Sequence, residues 1–495
     1  MLPPFYLLIV LTKLRILIQK LRIINYGDVM NVNLEKVKVI LENSFDVKYR
    51  EVTTNFGKCT LVFIDDICSA VQISDYVVEP LHSIGNSCNS IEEVVTKFLD
   101  IGAAGIAKDI DDGVLHVLSG DLIILFDNTE KIIYCEVKGF IRRSVSIPIT
   151  EAVVKGPREG FTELIVDNVS LIRRKIKNSD LKFETVYVGE KSQTSVCISY
   201  LKGMAPEYLI NNVKETIKSL NLNFILDTNY IEEKLRGKNS VFDTVGYTEK
   251  PDEAAAKILE GRVAVIVDGT PFVITVPYFF LENFQAPDDY YVNRYFANFT
   301  RVLRWFAFFI ATFLPGLYVA IVNYHFALIP SMFLFRLAVA RAGVPIPTII
   351  EVLIMVVAFQ LIKEAGLRLP QPIGGAMSIV AALILGDAVV GAGISSRITI
   401  IVVAASTLSY FLIPKVYGAL SVWSIIITIV SSVFGLPGFF LISLVLISKL
   451  GDLETGGYSY LFPLGSIETY KFKDIIFRGK LNKISKRVIQ KGGED

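Results

Sequence analysis

The chain has 495 residues, 50 Lys and Arg against 49 Asp and Glu, a formal net charge of +1 and 52% apolar side chains. Near-neutral charge speaks against a nucleic-acid footprint, which needs a clustered basic surface. The average also hides two unlike halves, because charge concentrates before residue 299 and in the tail while residues 299–450 are almost continuously apolar.

The first 12 residues are apolar and run into Lys13, Arg15, Lys20 and Arg22. Charges that follow the apolar stretch reverse the order of a signal peptide, and the stretch is too short to span a bilayer. It reads as a basic amphipathic segment on a membrane surface, or as a misassigned start with translation beginning at Met30. Residues 1–30 are therefore set apart.

Residues 31–154 read as a first αβ subdomain. Leu34, Val37, Leu41 and Phe45 share one helical face. Residues 58–64 are a strand candidate, and 122–126, Asp127-Asn128 and 131–137 read as a hairpin with turn residues at its tip. Residues 155–290 read as a second αβ subdomain, with strands at 183–188, 194–201 and 263–267 and a helix opening near Pro206. All five cysteines (Cys59, Cys68, Cys88, Cys135 and Cys197) fall in these two subdomains without C-x-x-C or metal-ligand spacing, which points to buried thiols in a reducing cytosol.

Residues 291–450 read as a helical transmembrane domain of four to six segments, some re-entrant. Residues 305–322 are an uncharged run of 18, at the lower limit for a span. Arg294, Arg301 and Arg304 precede it and place the αβ half in the cytoplasm. Residues 326–335 are too few to cross and suit a re-entrant or interfacial segment. Segments at 352–362, 369–386 and 398–414 follow, then 33 uncharged residues at 416–448 interrupted by Gly435-Leu-Pro-Gly438. The basic tail, 451–495, returns to the cytoplasm, which requires an even number of spans; four with re-entrant pieces is the preferred count. Ala382 with Gly386 and Ala388 with Ala392 are spaced for close helix approach, within the chain or between copies.

The fold class is thus multi-domain: an N-terminal α/β region of two subdomains, an α-helical transmembrane bundle and a short cytoplasmic tail. Ionisable groups at membrane depth are costly and mark ion paths, gates or structural pairs. The candidates are Glu351, Glu364, Arg368, Asp387 and Arg397, with His325 at the end of the first span. Glu364 and Arg368, four apart, share a helix face and pair either as a membrane-edge anchor or beside a gate. Asp387 follows a long uncharged run, so a buried carboxylate there pairs with Arg397 or Arg336, titrates or contacts an ion. His325 packs at an interface or serves the path.

Several motifs in order carry a family resemblance. They are Lys155-Gly-Pro-Arg-Glu-Gly-Phe-Thr-Glu163 with Asn168 and Leu171-Ile-Arg-Arg-Lys-Ile176, Pro277-Tyr-Phe-Phe-Leu-Glu-Asn-Phe-Gln285 with Asp289-Tyr-Tyr291, and Leu314-Pro-Gly-Leu-Tyr-Val319. Arg341-Ala-Gly-Val-Pro-Ile-Pro347, Lys363-Glu-Ala-Gly-Leu-Arg-Leu-Pro370, Gly386-Asp-Ala388 and Lys473-Asp474 complete the set. Together they resemble the spore germinant receptor A-subunit family, GerA type, over nearly the whole chain. The resemblance implies a multi-pass protein of the spore inner membrane that acts with a transporter-like B subunit and a lipoprotein C subunit. It implies transduction of nutrient sensing into germination, with a homo-oligomeric A subunit releasing cations, and contact with membrane lipid. The alternative is a nutrient-binding or transporter-like membrane protein without channel activity. The chain departs from the family pattern at Gln360, usually Glu, and at Arg397, usually Pro; one fewer negative and one more positive charge disfavour a cation path.

In the junction motif Gly156, Pro157 and Gly160 set a turn. Arg158, Glu159, Glu163, Arg173 and Arg174, beside Asn168, form either an interdomain or intersubunit network or a solvated hinge with incidental pairs. No G-x-S-x-G, H-E-x-x-H or P-loop is present, and the chain holds only three histidines, so no enzyme, metal or cofactor is expected. A stand-alone secondary transporter would want about ten spans with repeated halves.

Overall fold

The computed structural model describes residues 32–484 except 85–89, 140–147, 149, 150, 152, 237–239, 370, 465–473 and 475. Of 371–379, 381 and 483 only the backbone is described. The segment 1–30, Met30 as an alternative start, Cys88 and Lys473 lie outside the described residues. The chain folds as two units, one comprising residues up to 143 with 176–184, the other 144–175 with 185 onward.

The first unit holds a five-stranded antiparallel sheet, β1 (Val47–Thr54), β2 (Gly57–Ile64), β3 (Ala104–Ile106), β4 (Leu122–Phe126) and β5 (Ile132–Cys135), ordered β1-β2-β4-β5-β3. The expected hairpin is β4–β5, with Leu122 opposite Cys135 and Leu125 opposite Ile132. Every residue of β4 is buried, as a central strand with both faces covered requires. The first helix is Val32–Ile40; Val37 and Leu41 are buried, but Phe45 lies beyond the helix and its N–H donates to the Phe183 carbonyl. Cys59, Cys68, Cys135 and, in the second unit, Cys197 are buried thiols. Burial pushes the first three up to about 12, too high for ready thiolate chemistry.

A second five-stranded sheet holds β6 (Leu181–Val188), whose first residues are counted with the first unit, and β7 (Thr194–Leu201), β8 (Gly246–Thr248), β9 (Val263–Val267) and β10 (Val273–Val276) of the second unit, in the order β6-β7-β9-β10-β8. Helices Ile165–Lys175, Glu207–Lys218 and Pro251–Leu259 accompany this sheet. Pro206 stands at the N-cap of the second, where its missing N–H costs nothing. The same unit continues into six apolar helices: Arg294–Tyr324, Ser331–Arg341, Thr348–Arg368, Gln371–Gly391, Arg397–Tyr410 and Tyr417–Asp452.

By length and composition, two of these are candidate spans among the described residues, Arg294–Tyr324 and Pro414–Asp452. The first begins 11 residues before the uncharged run, so its arginines lie on the helix itself. The short segment after it is a turn at Phe326–Leu328 and an 11-residue helix, Ser331–Arg341, about 16 Å long and unable to cross alone. Arg294–Tyr324 packs along Tyr417–Asp452 and Arg397–Tyr410. Gly316 permits the first of these approaches, since a Cβ there would stand 2.7 Å from Ile427 Cγ2.

Both long helices contain a proline, and each frees a carbonyl four residues back. Pro315 frees Ala311, whose carbonyl accepts from the hydroxyls of Ser406 at 2.9 Å and Tyr410 at 3.1 Å. Pro437 frees Val433, whose carbonyl accepts from the Tyr324 hydroxyl at 3.1 Å; the same hydroxyl reaches Ser432 O at 2.8 Å. Gly435, at φ 63° and ψ −145°, is the break itself. Neighbouring hydroxyls thus serve the carbonyls that each proline leaves without a donor.

Candidate functional site

Glu351, in the first turn of Thr348–Arg368, is fully buried. One carboxylate oxygen accepts from Arg341 Nη2 at 3.1 Å. The other accepts from the Ser396 N–H and the Thr399 hydroxyl, each at 3.0 Å. Ser396 caps Arg397–Tyr410, its hydroxyl accepting from the Thr399 N–H at 3.2 Å. Tyr318 of the first long helix lies 3.0 Å from Thr399 Oγ1. A carboxylate at a helix N-terminus meets unsatisfied N–H groups and the positive end of the dipole. Four helices therefore converge on one anion, and a cation entering here would compete with Arg341.

The other membrane candidates do not join it. Glu364 and Arg368 pair with each other at 2.6 Å, both exposed. Gln360, also exposed, accepts from the Tyr417 hydroxyl. Asp387 is exposed, which corrects the expectation of a buried carboxylate, and among the described residues it forms no ion pair with Arg336 or Arg397. The reason is helical phase: Leu383, Ile384, Asp387 and Ala388 form one outward stripe of Gln371–Gly391. Arg397 is exposed at the start of its helix. His325 ends Arg294–Tyr324, half-buried, with Nδ1 3.4 Å from the Ala320 carbonyl.

In the junction motif the structure brings together Glu159, Arg174 and Lys175, with distances of 2.5 and 3.2 Å. Burial pushes the Glu159 carboxyl up, but Lys175 and Arg174 outweigh it and hold the group below the usual range. Asn168 closes the turn, accepting from the Thr162 N–H at 2.8 Å and donating to its carbonyl at 2.7 Å. Gly160 and Arg173 are buried, while Arg158 and Glu163 are exposed. The Lys250 ammonium donates to the Pro157 carbonyl at 2.7 Å.

Three buried charge clusters escaped sequence reasoning. Arg301 donates to Asp289 at 2.8 Å and to Asp474 at 2.5 Å, all three almost inaccessible, and Arg304 adds a 2.8 Å pair to Asp289. Tyr290 donates to Asp474 at 2.6 Å. Lys415, on the turn before Tyr417–Asp452, lies 2.8 Å from Glu151 and 3.5 Å from Glu253. Glu282 accepts from Arg262 at 2.6 Å and from the Phe279 N–H at 2.9 Å, and also from Lys257. Burial would raise its carboxyl, but Arg262 and Lys257 bring it down to about 2. A signal for the second cluster was present: Lys415 is the only charge between 398 and 448. Arg301 and Arg304 share a helix face, but their partner Asp474 is 173 residues from Arg301 and nothing local indicates it.

The segment after the last long helix returns to the second sheet's flank. Thr455 Oγ1 accepts from the Tyr278 N–H at 2.9 Å, and the Tyr460 carbonyl accepts from the Phe280 N–H at 2.9 Å. Asn283 donates to the Tyr460 hydroxyl at 3.3 Å.

Residues 35–489 match the family described as Bacillus/Clostridium GerA spore germination protein. The chain is similar to the uncharacterized membrane protein YfkQ of Bacillus subtilis, 35% identical over 90% of this chain and 88% of that one. It is 34% identical to spore germination protein KA of Bacillus subtilis, over 90% and 84%. It is 32% identical to spore germination protein GerLA of Bacillus cereus, over 87% and 89%. Half of the chain aligns with 94% of the N-terminal domain of the A subunit of the Bacillus megaterium spore germinant receptor GerK3, at 27% identity and a TM-score of 0.39. The chain belongs to the GerA family of spore germination proteins.

Proposed function

We propose that this chain is the A subunit of a nutrient germinant receptor in the spore inner membrane, working with a transporter-like B subunit and a lipoprotein C subunit. It converts nutrient sensing into germination as a homo-oligomer that releases cations. The observation that carries this reading is the set of buried ion pairs joining the αβ layer to the membrane helices. Arg301 at the root of the first long helix holds Asp289 and Asp474, and Lys415 at the root of the last holds Glu151 and Glu253. Buried pairs are rigid and lose much when one partner is withdrawn, so displacement of the αβ layer reaches both helices.

Entry to and exit from the apolar region both pack on the same layer, which supports an even number of crossings. Arg294, Arg301 and Arg304 at the entry favour the cytoplasmic side for both termini. Helices Thr348–Arg368 and Gln371–Gly391, 21 residues each, are roughly 30 Å long, enough to complete four crossings. The outward stripe holding Asp387 is the best candidate for an ion path lined by several copies. Glu351 serves as a locked hinge, Glu364–Arg368 and His325 as helix-end fittings, and the Glu159 network as a brace within the second unit.

Potassium and dipicolinate release from spores with and without this chain, across a nutrient panel, tests the reading. Loss of response to a particular nutrient supports a receptor subunit. Normal release to every nutrient removes the channel role and leaves a nutrient-binding or transporter-like protein.

A further inference from the structure

The helices Ser331–Arg341 and Arg397–Tyr410 flank an open recess of about 710 Å³, into which both Arg336 and Arg397 contribute. Its floor and rim are largely backbone and small side chains, with Gly343, Gly393 and Ser395 among them, and no acidic side chain is among its described lining residues. The surrounding chain is apolar. Phe335, Val339 and Val344 complete one wall.

Four arginines of the membrane half pair with carboxylates, Arg301 and Arg304 with Asp289, Arg341 with Glu351 and Arg368 with Glu364, and Arg294 donates to the Arg478 carbonyl. Among the described residues Arg336 and Arg397 have no such partner. The start of Arg397–Tyr410 offers no anion of its own to them. Its Ser396 N–H is already directed at Glu351, on the buried side. Two guanidinium groups beside apolar helices, with space between them and no acidic side chain among the described lining residues, create a positive recess that is costly beside lipid until an anion fills it. Guanidinium is the group best matched to phosphate, offering paired N–H donors at fixed geometry.

We infer that the recess between Arg336 and Arg397 is a binding site for a phosphate-class oxyanion, with each arginine holding one side of the phosphate. Its place on an apolar helical surface suits the headgroup of an anionic phospholipid, and a soluble phosphate presents the same chemistry. Gly343 and Gly393 leave the recess open, so a phosphate attached to a larger body enters without displacing a side chain. This site adjoins the Glu351 lock through Ser396, which lines the recess while its N–H faces Glu351, and it does not rest on the receptor reading.

The test uses the full chain, purified in neutral detergent and stripped of lipid. Phosphatidylglycerol and phosphatidylcholine are titrated separately and bound species counted by native mass spectrometry, with inorganic phosphate as a third arm. The wild-type chain retains phosphatidylglycerol in preference to phosphatidylcholine, and Arg336→Gln/Arg397→Gln weakens that binding by about tenfold or more. The Arg336→Lys/Arg397→Lys chain, which keeps the charge without the fork, retains an intermediate preference. Phosphate binding that disappears in the double variant, without a lipid preference, assigns the same site to a soluble oxyanion. Equal retention of every probe by wild type and double variant overturns the inference, and does so equally if the arginines instead meet carboxylates of another protein. Should the double variant fail to fold, the single variants Arg336→Gln and Arg397→Gln are compared, each expected to weaken binding several-fold. Single variants indistinguishable from wild type refute it.

Discussion

Lys415 Nζ stands 2.8 Å from Glu151 Oε1. Glu151 is itself fixed by the Thr248 hydroxyl at 2.6 Å and the Glu249 N–H at 3.0 Å. The turn between two apolar helices is therefore hung from a carboxylate already held by the second sheet, and one cation carries the connection.

Replacing Lys415 with Gln strands two carboxylates and should cost about 3 kcal/mol. Glu151→Gln alone should cost a comparable amount, and the double variant less than the sum. Thermal unfolding of the four solubilised chains measures this; strict additivity would show that the pair is not coupled.

Glu282 gives the second sheet's flank an acid limit. Its folded carboxyl lies near 2 against 4.5 when unperturbed, so its contribution is fully present above about 4.5 and is lost as pH falls towards 2. A shift of that size corresponds to on the order of 3 kcal/mol. Melting temperature followed from pH 6 to pH 2.5 should drop less steeply in Glu282→Gln than in wild type. Parallel curves would remove Glu282 as the cause.

For Glu351, Ala and Gln substitutions separate charge from hydrogen bonding. Glu351→Ala leaves the Arg341 guanidinium and the Ser396 N–H without their anion and should destabilise by about 3–5 kcal/mol. Glu351→Gln keeps an acceptor and should cost less. Protease resistance of the membrane-inserted chain reports both, and equal resistance of the two variants would argue against the lock.

Gly435→Ala places a Cβ at a left-handed φ, 3.2 Å from Tyr324 Cβ, and should cost about 2 kcal/mol. Tyr324→Phe removes the donor that serves Val433 and should cost about 1 kcal/mol. Denaturant titration in detergent distinguishes them. A Gly435→Ala chain as stable as wild type would mean that the break is not required.

Asp387→Asn should change stimulated cation release without changing chain abundance, because the residue is exposed and, among the described residues, forms no ion pair. Unaltered release from normally assembled protein would take Asp387 out of the ion path.

Periodicity made part of each sheet legible, while β1, β3, β8 and β10 went unread. The runs 122–126 and 263–267 became β4 and β9 because uninterrupted β-branched and aliphatic residues beside turn signals have few other uses. Helix phase was legible too for Glu364 and Arg368, whose spacing forces them together. The side on which Asp387 sits was not, since an apolar helix has apolar residues all round and hydropathy gives no inward face. The partners in the Arg301–Asp474 and Lys415–Glu151 contacts were illegible for another reason, even though Lys415 itself stood out as the lone charge of an apolar run. They join distant segments, and a charge near a helix end reads as a solvated residue until the chain is folded around it. The first long helix likewise began earlier than its uncharged run because buried carboxylates receive its arginines.

Arg301 also sets an order of events. One of its two carboxylates, Asp289, emerges from the ribosome before it, but the other, Asp474, is made 173 residues later. The first long helix must therefore form with its root half-neutralised, and stay so while the remaining apolar helices are synthesised. Completion of the tail closes the assembly, so a chain truncated before Asp474 would carry every helix of the bundle and still lack its final fastening.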